Sequence, residues 1–524
     1  MLHFIWFIGA FISDWDLSIL AWIALVPLFV ALTNRSLLWG FLLSYVHGML
    51  FLPGVFNWIL QIPYYKWYHH ALLGVYLGAY FGLFGLTFVF ISKRLNLTAA
   101  LWSAPFLWVS LEYIRSNFFF LALPWGLLGH TQYRYPVVIQ IAALFGTYGV
   151  SFLIVLVNAA LMMTVQSVST YYSNNSLRSG IIFLNKQNLA LGILAVMAVL
   201  LTLFYGRNTI SRPITGQSID VALVQGNIAQ SKKWDPQHAE EIMQIYSNLT
   251  LRAAREHPAL IIWPETATPG LITFAQKIYK NLEDLVRTTA TPLVLGSARH
   301  QKFQPDESQR LKFINSAFLM APRNNKIELQ RYSKIRLFPF GEYLPVKSII
   351  PWKLIGVSSL SEYVSGKDYT VFELSPYHFG VTICWENIFP GLVRQFALRG
   401  AQFIVNITNE ARFGKTAAPH QLLTISVFWA VENGMFIIRC ANTGVSCIID
   451  SHGRIIKRLQ DENGQDLFVR GILNGTIIPT ESKTFYTRNG DLIPILAIAV
   501  SLVFIFTACL NSLFRRNATL DTEG

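Results

Sequence analysis

Apolar residues are concentrated in the first two hundred positions of the 524-residue chain and in one run near its end. Each apolar stretch is near or above the roughly 17–25 residues that a helix needs to cross a bilayer. These stretches are residues 18–33, 37–61, 71–92, 99–121, 137–166, 189–206 and 491–511. A shorter stretch, residues 2–13, is predicted to be a further helix; the alternative is a cleaved signal peptide, but no Lys or Arg precedes the stretch. The pattern predicts a transmembrane domain over 1–210, with about seven helices, and a C-terminal transmembrane helix over 490–512.

The section from about Gln217 to Thr480 has a different pattern, in which short β-rich runs alternate with amphipathic stretches. The strand-like runs are residues 219–228, 259–265, 291–299, 313–322, 378–386, 401–410, 435–444 and 445–453. Helical patterns cover residues 237–255, 272–289 and 418–433, and the tripeptides RNN and SHG indicate hairpin turns. Several strands are almost continuously apolar, as expected for strands buried on both faces. The alternation predicts an α/β domain over 217–480 with helices covering sheet.

Charges in the short loops predict how the chain is oriented. With the N-terminus inside, the cytoplasmic loops and tail carry seven Lys or Arg residues: Arg35, Lys93, Arg94, Arg178, Lys186, Arg515 and Arg516. The opposite loops carry three, namely Lys66, Arg115 and Arg134. Because cytoplasmic loops are enriched in positive charge, the 217–480 domain is expected outside and residues 513–524 form a cytoplasmic tail. A basic surface beside anionic lipid accounts for the net charge of +13, so no nucleic-acid partner is expected.

The four cysteines are too few for a disulfide framework. Cys509 falls in the last apolar run, whereas Cys440 and Cys447 lie in strand-like sequence and leave a disulfide between them open. Cys384 ends an apolar strand in "VTICWENIFP" and has no obvious partner. Free cysteine is usually buried and unreactive. Cys384 is therefore either a core residue or a reactive thiol, and the residues near it distinguish the two alternatives.

Two polar residues are candidates to activate this thiol. Glu265 ends the apolar strand "IIWPE", and Lys334 lies in the loop-like run "RYSKIRLFPFGEYLP". Sites in open α/β sheets form at the carboxyl ends of strands, so these groups can converge. Glu265 would take the thiol proton, while Lys334 and the backbone N–H of Trp385 would stabilise an oxyanion. Such a trio suits acyl transfer through a thioester. The alternative is a surface salt bridge between Glu265 and Lys334, beside a core cysteine.

Three motifs resemble the Glu-Lys-Cys signature of the carbon–nitrogen hydrolase (nitrilase) superfamily: "WPE" at 263–265, "YSKIRLFPFGEYLP" at 332–345 and "ICWE" at 383–386. With the membrane helices they resemble one branch, the bacterial apolipoprotein N-acyltransferases. That branch is also indicated by "LPWGLLGHTQ" (123–132), "ALFGTYGVSFLIVLVNA" (143–159) and "VQGNIAQSKKWD" (224–235). The resemblance covers nearly the whole chain. It implies an α-β-β-α sandwich of nitrilase type over 217–480, in the periplasm at the outer face of a bacterial inner membrane.

The resemblance also implies a ping-pong reaction. Glu265 would be the general base, Lys334 the oxyanion stabiliser and Cys384 the nucleophile. The thiolate would take an acyl chain from the sn-1 position of a phospholipid. The α-amine of an S-diacylglyceryl-cysteine, at the N-terminus of an apolipoprotein, would then attack the thioester. No cofactor is expected, and nothing in the sequence requires more than a monomer.

Further residues match positions of the family. Glu342 in "FGEY" and Glu386 in "CWE" are expected to hold Lys334 and to position the substrate amine or the catalytic loop; the alternative for each is a loop-stabilising hydrogen bond. Trp234 in "SKKWD" either lines the acyl entrance or anchors the domain at the lipid surface.

One motif departs from the family pattern. The sequence "NEARFG" at 409–414 stands where Asn-Asp-Ala-Trp-Phe-Gly is expected, so Asn409 is kept, Glu410 lengthens the acid and Arg412 replaces an indole. Asn409 and Arg412 are therefore interpreted as substrate-binding residues. The change at Arg412 predicts an altered phospholipid preference with activity retained.

Two other functions compete with acyl transfer. A membrane-anchored amidase would use the same trio with water as the acceptor, but a simple hydrolase needs one anchor rather than many helices. A transporter would need more ionisable residues in its helices than this chain has; Glu112, which is expected to pair with Arg115 near a helix end, is the clearest exception. The eleven histidines form no zinc-type spacing, so no metal site is expected.

Overall fold

The computed structural model describes residues 18–62, 65–173, 186–272, 276–300, 312–324, 326–350, 352 and 363–520. The helix predicted over residues 2–13, and the loop residue Arg178, lie outside the described residues. The chain divides into two compact units. One, the membrane unit, combines residues 1–212 with residues 489–524; the other, the catalytic unit, comprises residues 213–488.

The secondary-structure elements of the described residues alternate in type only in the catalytic unit. The helices are α1 (Val26–Leu32), α2 (Leu37–Val55), α3 (Trp67–Arg94), α4 (Leu97–Asn117), α5 (Pro136–Ile139), α6 (Ala142–Ser173), α7 (Lys186–Ile210), α8 (Ala239–Ala253), α9 (Gln276–Thr289), α10 (Pro390–Leu398), α11 (Ala418–Asn433), α12 (Phe485–Asn489) and α13 (Leu492–Leu520). The strands are β1 (Ile219–Gln225), β2 (Leu260–Ile262), β3 (Leu293–His300), β4 (Phe313–Arg323), β5 (Lys326–Ser333), β6 (Val371–Leu374), β7 (Tyr377–Ile383), β8 (Phe403–Thr408), β9 (Phe436–Ala441), β10 (Cys447–Ile449), β11 (Ile455–Arg458) and β12 (Gly471–Ile477).

Within the described residues, six helices are long and apolar enough to cross a membrane: α2, α3, α4, α6, α7 and α13. The apolar stretch 18–33 is different, because it divides into a 3₁₀ turn (Ser18–Trp22) and the short helix α1. Pro27 stands at the start of α1, and it lacks the N–H that would continue a helix from the preceding turn. The stretch 37–61 likewise leaves the α-helical conformation at Val55, shortly after Pro53. The chain is thus a membrane protein with several apolar helices.

Glycines allow the helices of the membrane unit to approach each other closely. A Cβ atom added at Gly85 on α3 would lie 2.2 Å from the carbonyl oxygen of Gly40 on α2, so the two backbones touch. Small residues at such crossings replace side-chain interdigitation by direct backbone packing. The C-terminal helix α13 joins the same unit, since the hydroxyls of Ser110 on α4 and Ser501 on α13 are 3.2 Å apart.

The catalytic unit consists of two six-stranded sheets. Their strand orders are β12-β1-β2-β3-β4-β5 and β11-β10-β9-β8-β7-β6. Strands β1, β2 and β3 are parallel, as are β7, β8 and β9, and the outer pairs are antiparallel. Helices α8 and α9 pack on the first sheet, and α10 and α11 on the second. The sheets face each other, with Cys440 Sγ on β9 lying 3.3 Å from the carbonyl oxygen of Ile262 on β2. The predicted α-β-β-α sandwich is confirmed.

The eight strand-like runs of the sequence all contain a strand, but four strands were not predicted: β5, β6, β11 and β12. These four are the edges of the two sheets. Edge strands expose one side to water, and in β5 polar residues alternate with apolar ones, so the search for apolar runs misses them. Strands β4 and β5 pair antiparallel on either side of RNN, and β10 and β11 do so on either side of SHG.

The structure excludes a disulfide between Cys440 and Cys447, which are both free thiols. In the β9–β10 pair, Cys447 lies opposite Arg439, the neighbour of Cys440. Successive side chains of a strand point to opposite faces. The two thiols therefore lie on different faces of the sheet.

Candidate active site

Glu265 follows β2 and is held in place by close packing. The preceding Trp263 is fully buried, with its ring 4.7 Å from that of Tyr246 and its Nε1–H donating to Thr250 Oγ1 at 2.8 Å. On the other side, a Cβ atom added at Gly296 of β3 would lie 2.6 Å from the Cα of Glu265. The carboxylate is therefore carried by a segment with little freedom to shift.

Hydrogen bonds fix both carboxylate oxygens of Glu265. Oε1 accepts from Nδ2 of Asn315 at 2.8 Å and lies 3.9 Å from the Lys334 ammonium. Oε2 accepts from the backbone N–H of Asn409 at 2.9 Å. The side chain is buried, so the orientation of its oxygens is set by the protein rather than by water.

Lys334 follows β5 directly and is 1% exposed. Its ammonium donates to Oε1 of Glu342 at 2.8 Å, and Oε2 of Glu342 accepts from the backbone N–H of Phe338 at 2.8 Å. Burial alone would lower the pKa of Lys334, but Glu342, Cys384 and Glu265 outweigh it and hold that pKa above its usual value. Both Glu265 and Lys334 are buried, which excludes the alternative of a salt bridge on the surface.

Cys384 follows β7 with φ of +50°, in the left-handed region that residues other than glycine rarely adopt. Strained backbone of this kind clusters at functional sites. Cys384 opens the 3₁₀ turn Cys384–Ile388 and is half-buried, unlike the fully buried Cys440 and Cys447. Burial, followed by the Glu265 carboxylate, raises the pKa of the thiol to about 12, while Lys334 opposes the rise. The resting sulfur is therefore a thiol, and its proton must pass to a base during attack.

Glu386 links the segment that carries Lys334 to the turn that carries the cysteine. Its carboxylate is fully buried. Oε1 accepts from Tyr332 Oη at 2.7 Å and from the backbone N–H groups of Ile335 and Arg336 at 2.7 and 3.0 Å. Oε2 accepts from the backbone N–H of Ile383 at 2.8 Å. Burial raises the pKa of Glu386, and the backbone hydrogen bonds oppose this.

The two tryptophans of the predicted site lie in different surroundings. Trp385 follows the cysteine in the 3₁₀ turn, with its ring 4.7 Å from that of Phe338 and 6.0 Å from that of Phe389. Trp234 is 46% exposed. The Trp385 ring thus packs against other aromatic rings, whereas the Trp234 side chain is accessible to a lipid or to solvent.

Asn409 and Arg412 also differ from each other. The Asn409 side chain donates to Oε1 of Gln230 at 3.1 Å and accepts from Nδ2 of Asn442 at 3.0 Å, while its backbone holds Glu265. Arg412 is exposed. Asn409 is therefore engaged within the protein, whereas the guanidinium of Arg412 is open to water.

Glu410, next in the chain, forms an ion pair with Arg439, and both are fully buried. Arg439 also donates to Oδ1 of Asn406 at 2.8 Å. Burial raises the pKa of Glu410, although Arg439 counteracts the rise. Glu410, which stands where an Asp was expected, thus forms an ion pair in the interior of the unit.

Sequence reasoning missed two residues that contact Glu265. Asn315 donates to Glu265 and, at 3.4 Å, to Glu342; an amide inside the apolar run "FINSAFLMAP" was the available signal. Lys233 donates from its ammonium to the backbone carbonyl oxygen of Glu265 at 3.0 Å. The adjacent lysines in "SKKWD" resemble an ordinary solvated surface, so nothing in the pattern distinguishes Lys233 from a surface lysine.

The arrangement suits a nucleophilic thiol better than a metal. No group of three His, Cys, Asp or Glu residues that could hold a metal ion occurs among the described residues. The ammonium of Lys334 already lies between the carboxylates of Glu265 and Glu342. The site combines a carboxylate that can accept a proton, a fixed ammonium and a strained cysteine, which is the equipment for forming and resolving a thioester.

Comparison with known proteins agrees with this fold. Residues 220–480 match the carbon-nitrogen hydrolase family, and residues 7–160 match the apolipoprotein N-acyltransferase N-terminal domain. The catalytic unit thus carries a domain of the carbon–nitrogen hydrolase class. An apolipoprotein N-acyltransferase of Geobacter metallireducens is 35% identical over 486 residues, covering 91% of this chain and 88% of that protein. The chain therefore belongs to the apolipoprotein N-acyltransferase family.

More distant proteins extend the comparison. An apolipoprotein N-acyltransferase of Chlorobaculum tepidum is 29% identical, covering 94% of this chain and 92% of that protein. Among solved structures, an amidase from Nesterenkonia sp. superposes with a TM-score of 0.36 at 19% identity, covering 53% of this chain and 94% of the amidase.

Proposed function

We propose that this chain transfers a fatty acyl group from the sn-1 position of a phospholipid to the N-terminal α-amine of S-diacylglyceryl-cysteine in apolipoproteins. The transfer passes through a thioester on Cys384. One observation carries the proposal: the buried carboxylate of Glu265, the ammonium of Lys334 and the strained thiol of Cys384 interact in one site. Membership in the family supports the choice of donor and acceptor.

In the first half-reaction, Glu265 takes the thiol proton as the sulfur of Cys384 attacks the sn-1 ester carbonyl. The Lys334 ammonium and the backbone N–H of Trp385 stabilise the oxyanion of the tetrahedral intermediate. Collapse breaks the bond to the glycerol oxygen, which takes the proton from Glu265 and leaves as lysophospholipid. The second half-reaction mirrors the first: Glu265 accepts a proton from the attacking amine, the C–S bond breaks, and the sulfur regains a proton.

Glu342 and Glu386 act by holding other groups. Glu342 orients the Lys334 ammonium through its 2.8 Å contact. Glu386 accepts four hydrogen bonds from the protein, so it positions the catalytic loop and leaves the substrate amine to other groups. Asn409 fixes Glu265 through its backbone N–H.

The exposed Trp234 and Arg412 are proposed to contact the lipid substrates. We expect Arg412→Trp to retain acyl transfer but to reduce the preference for anionic over zwitterionic donors by at most about fivefold, because an exposed charge pair contributes about 0.2–1 kcal/mol. Acyl-enzyme formation measured with a panel of phospholipid headgroups tests this. The same headgroup preference in the parental chain and in the variant would contradict it.

The location of the enzyme follows from its substrates, which both carry acyl chains and reside in membranes. We propose that residues 1–210 and 490–512 hold the chain in a bacterial inner membrane as a monomer. Residues 217–480 form the catalytic domain on the periplasmic side, and residues 513–524 form a cytoplasmic tail. The excess of Lys and Arg in the loops assigned to the cytoplasm supports this orientation.

Transfer to an acceptor tests the function directly. Purified full-length protein is incubated with phospholipid and a diacylglyceryl-cysteine peptide, and the peptide is analysed by mass spectrometry. We expect one added acyl group in a hydroxylamine-resistant amide, and none with Cys384→Ser. Release of free fatty acid with the peptide unmodified would instead assign a hydrolase that uses water as the acceptor.

A further inference from the structure

Two successive lysines before Trp234 have opposite environments. The Lys232 side chain is 46% exposed, and its ammonium lies 3.3 Å from Glu241. Lys233 is 3% exposed, and its ammonium donates to the backbone carbonyl oxygen of Glu265 at 3.0 Å. The first lysine is an ordinary surface residue, whereas the second points into the interior beside the proposed general base.

Among the described residues, the Lys233 ammonium has no direct counter-ion, since none of their carboxylate oxygens lies within 4.0 Å of it. Its bond to Glu265 uses one of the three N–H donors of an ammonium. Burying a cation without a paired anion is unfavourable. A buried lysine of this kind therefore needs a more distant electrostatic partner.

The charges around Cys384 supply that partner. Glu265 follows β2, Lys334 follows β5 and Glu342 lies in the loop beyond it, and all three act on the thiol. Lys334 lies near both carboxylates, at 3.9 and 2.8 Å, and two carboxylates with one ammonium carry a net negative charge. Ionising a thiol next to a net negative charge is unfavourable.

The Lys233 ammonium offsets this net negative charge. Burial lowers the pKa of its ammonium to about 8, while Glu265 and Cys384 raise it and the exposed Arg412 lowers it further. Below that pH the ammonium is mostly charged, and the four groups Glu265, Glu342, Lys334 and Lys233 sum to zero. The sum with Cys384 stays zero when the thiol proton moves to Glu265, because one anion replaces another.

We propose that Lys233 is a positioning residue of the active site, which fixes the main chain at Glu265 and supplies the second positive charge against which Cys384 ionises. Its effect on acyl transfer rests on the proposed function. Its effect on the ionisation of Cys384 does not, because that effect is present without any substrate.

The test compares Lys233→Met, Lys233→Arg and the matched surface control Lys232→Met in the purified full-length protein. Alkylation of Cys384 by iodoacetamide is followed by peptide mass spectrometry from about pH 6 to about pH 10, since the thiolate is the reactive form. Without the cation the thiol pKa rises, so we expect Lys233→Met to react about tenfold more slowly near neutral pH, with its profile about one unit higher. Lys233→Arg keeps the charge and should recover most of the rate, and Lys232→Met should match the parental chain.

Two results would overturn the inference. One is an alkylation profile of Lys233→Met that coincides with that of the parental chain. The other is an equal loss in the Met and Arg variants at every pH without a shift of the profile, which would reduce Lys233 to a packing role. If the parental chain forms no acyl-enzyme but the alkylation profiles shift as expected, the proposed function fails while the role of Lys233 stands.

Discussion

At the scale of single residues, the carboxylate of Glu386 connects two segments of the site. It accepts one side-chain and three backbone hydrogen bonds, and these join the end of β7 to the segment after β5. The nucleophile and the ammonium lie on those two segments. A buried acceptor of this kind costs more to remove than a surface one, since its donors are left without partners.

Glu386→Gln therefore has a defined consequence. The variant replaces one acceptor oxygen by an NH₂ group, which then faces a buried N–H donor. We expect a loss of about 2 kcal/mol in stability, seen as a lower melting temperature in detergent, and acyl-enzyme formation slowed by at least about tenfold. The exposed Glu256 provides the control, because Glu256→Gln should change neither quantity. A variant as stable and as fast as the parental chain would contradict this role.

The sequence predicted the site residues unevenly. Glu265 and Cys384 could be proposed from the sequence because Cys384 directly follows an apolar strand and Glu265 lies three residues beyond the end of another, where the sheet topology brings side chains to one edge. Lys233 and Asn315 were not, because their contacts depend on which way a side chain turns rather than on its place in a pattern. The φ of +50° at Cys384 was equally invisible, since no glycine marks the position.

At the scale of elements, the sequence predicted the interior of the sandwich and missed its edges. The central strands β8 and β9 are mostly apolar and are buried along their whole length, so their runs of apolar residues are easily recognised. The edge strand β12 contains two glycines and alternates between buried and exposed positions. A partly buried strand needs fewer apolar residues, so an edge strand does not show the continuous apolar run that identifies a central strand.

The contact between β3 and the Glu265 segment yields an element-scale prediction. Ala at Gly296 would place its Cβ 2.6 Å from both the Cα of Glu265 and the backbone nitrogen of Thr266. Overpacking against backbone costs about 1–3 kcal/mol, and we expect Gly296→Ala to slow acyl-enzyme formation by displacing the base. Gly391→Ala is the control, because nothing lies within 4 Å of its added Cβ. Equal acylation rates in both variants would contradict the prediction.

The crossing of helices α2 and α3 leads to a second prediction at the scale of elements. A side chain at Gly85 would collide with the Ser44 hydroxyl at 2.1 Å and with the Gly40 carbonyl at 2.2 Å. We expect Gly85→Leu to lower the melting temperature of the detergent-solubilised protein, with a cost of about 1–3 kcal/mol. Gly192→Leu on α7, where a Cβ meets nothing within 4 Å, should leave it unchanged. The reverse order of the two melting temperatures would be inconsistent with this packing.

At the scale of the whole molecule, one chain combines a membrane unit and a catalytic unit. The chain leaves the membrane unit after residue 212 and re-enters it at residue 489. This organisation suits the proposed reaction, in which donor and acceptor both carry acyl chains. The local density of apolar residues along the sequence changes near the same positions. The 18–33 stretch shows the limit of hydropathy, since mean hydropathy does not reveal where a proline interrupts a helix.

Cys384 is proposed to carry an acyl group during the reaction. Intact-protein mass spectrometry of the chain incubated with phospholipid measures this directly. We expect a mass increase of one fatty acyl group, which hydroxylamine removes and which Cys384→Ser abolishes. Addition of a diacylglyceryl peptide should discharge the adduct. An unmodified mass after incubation with phospholipid, in protein that remains folded, would contradict the thioester mechanism and return Cys384 to a structural role.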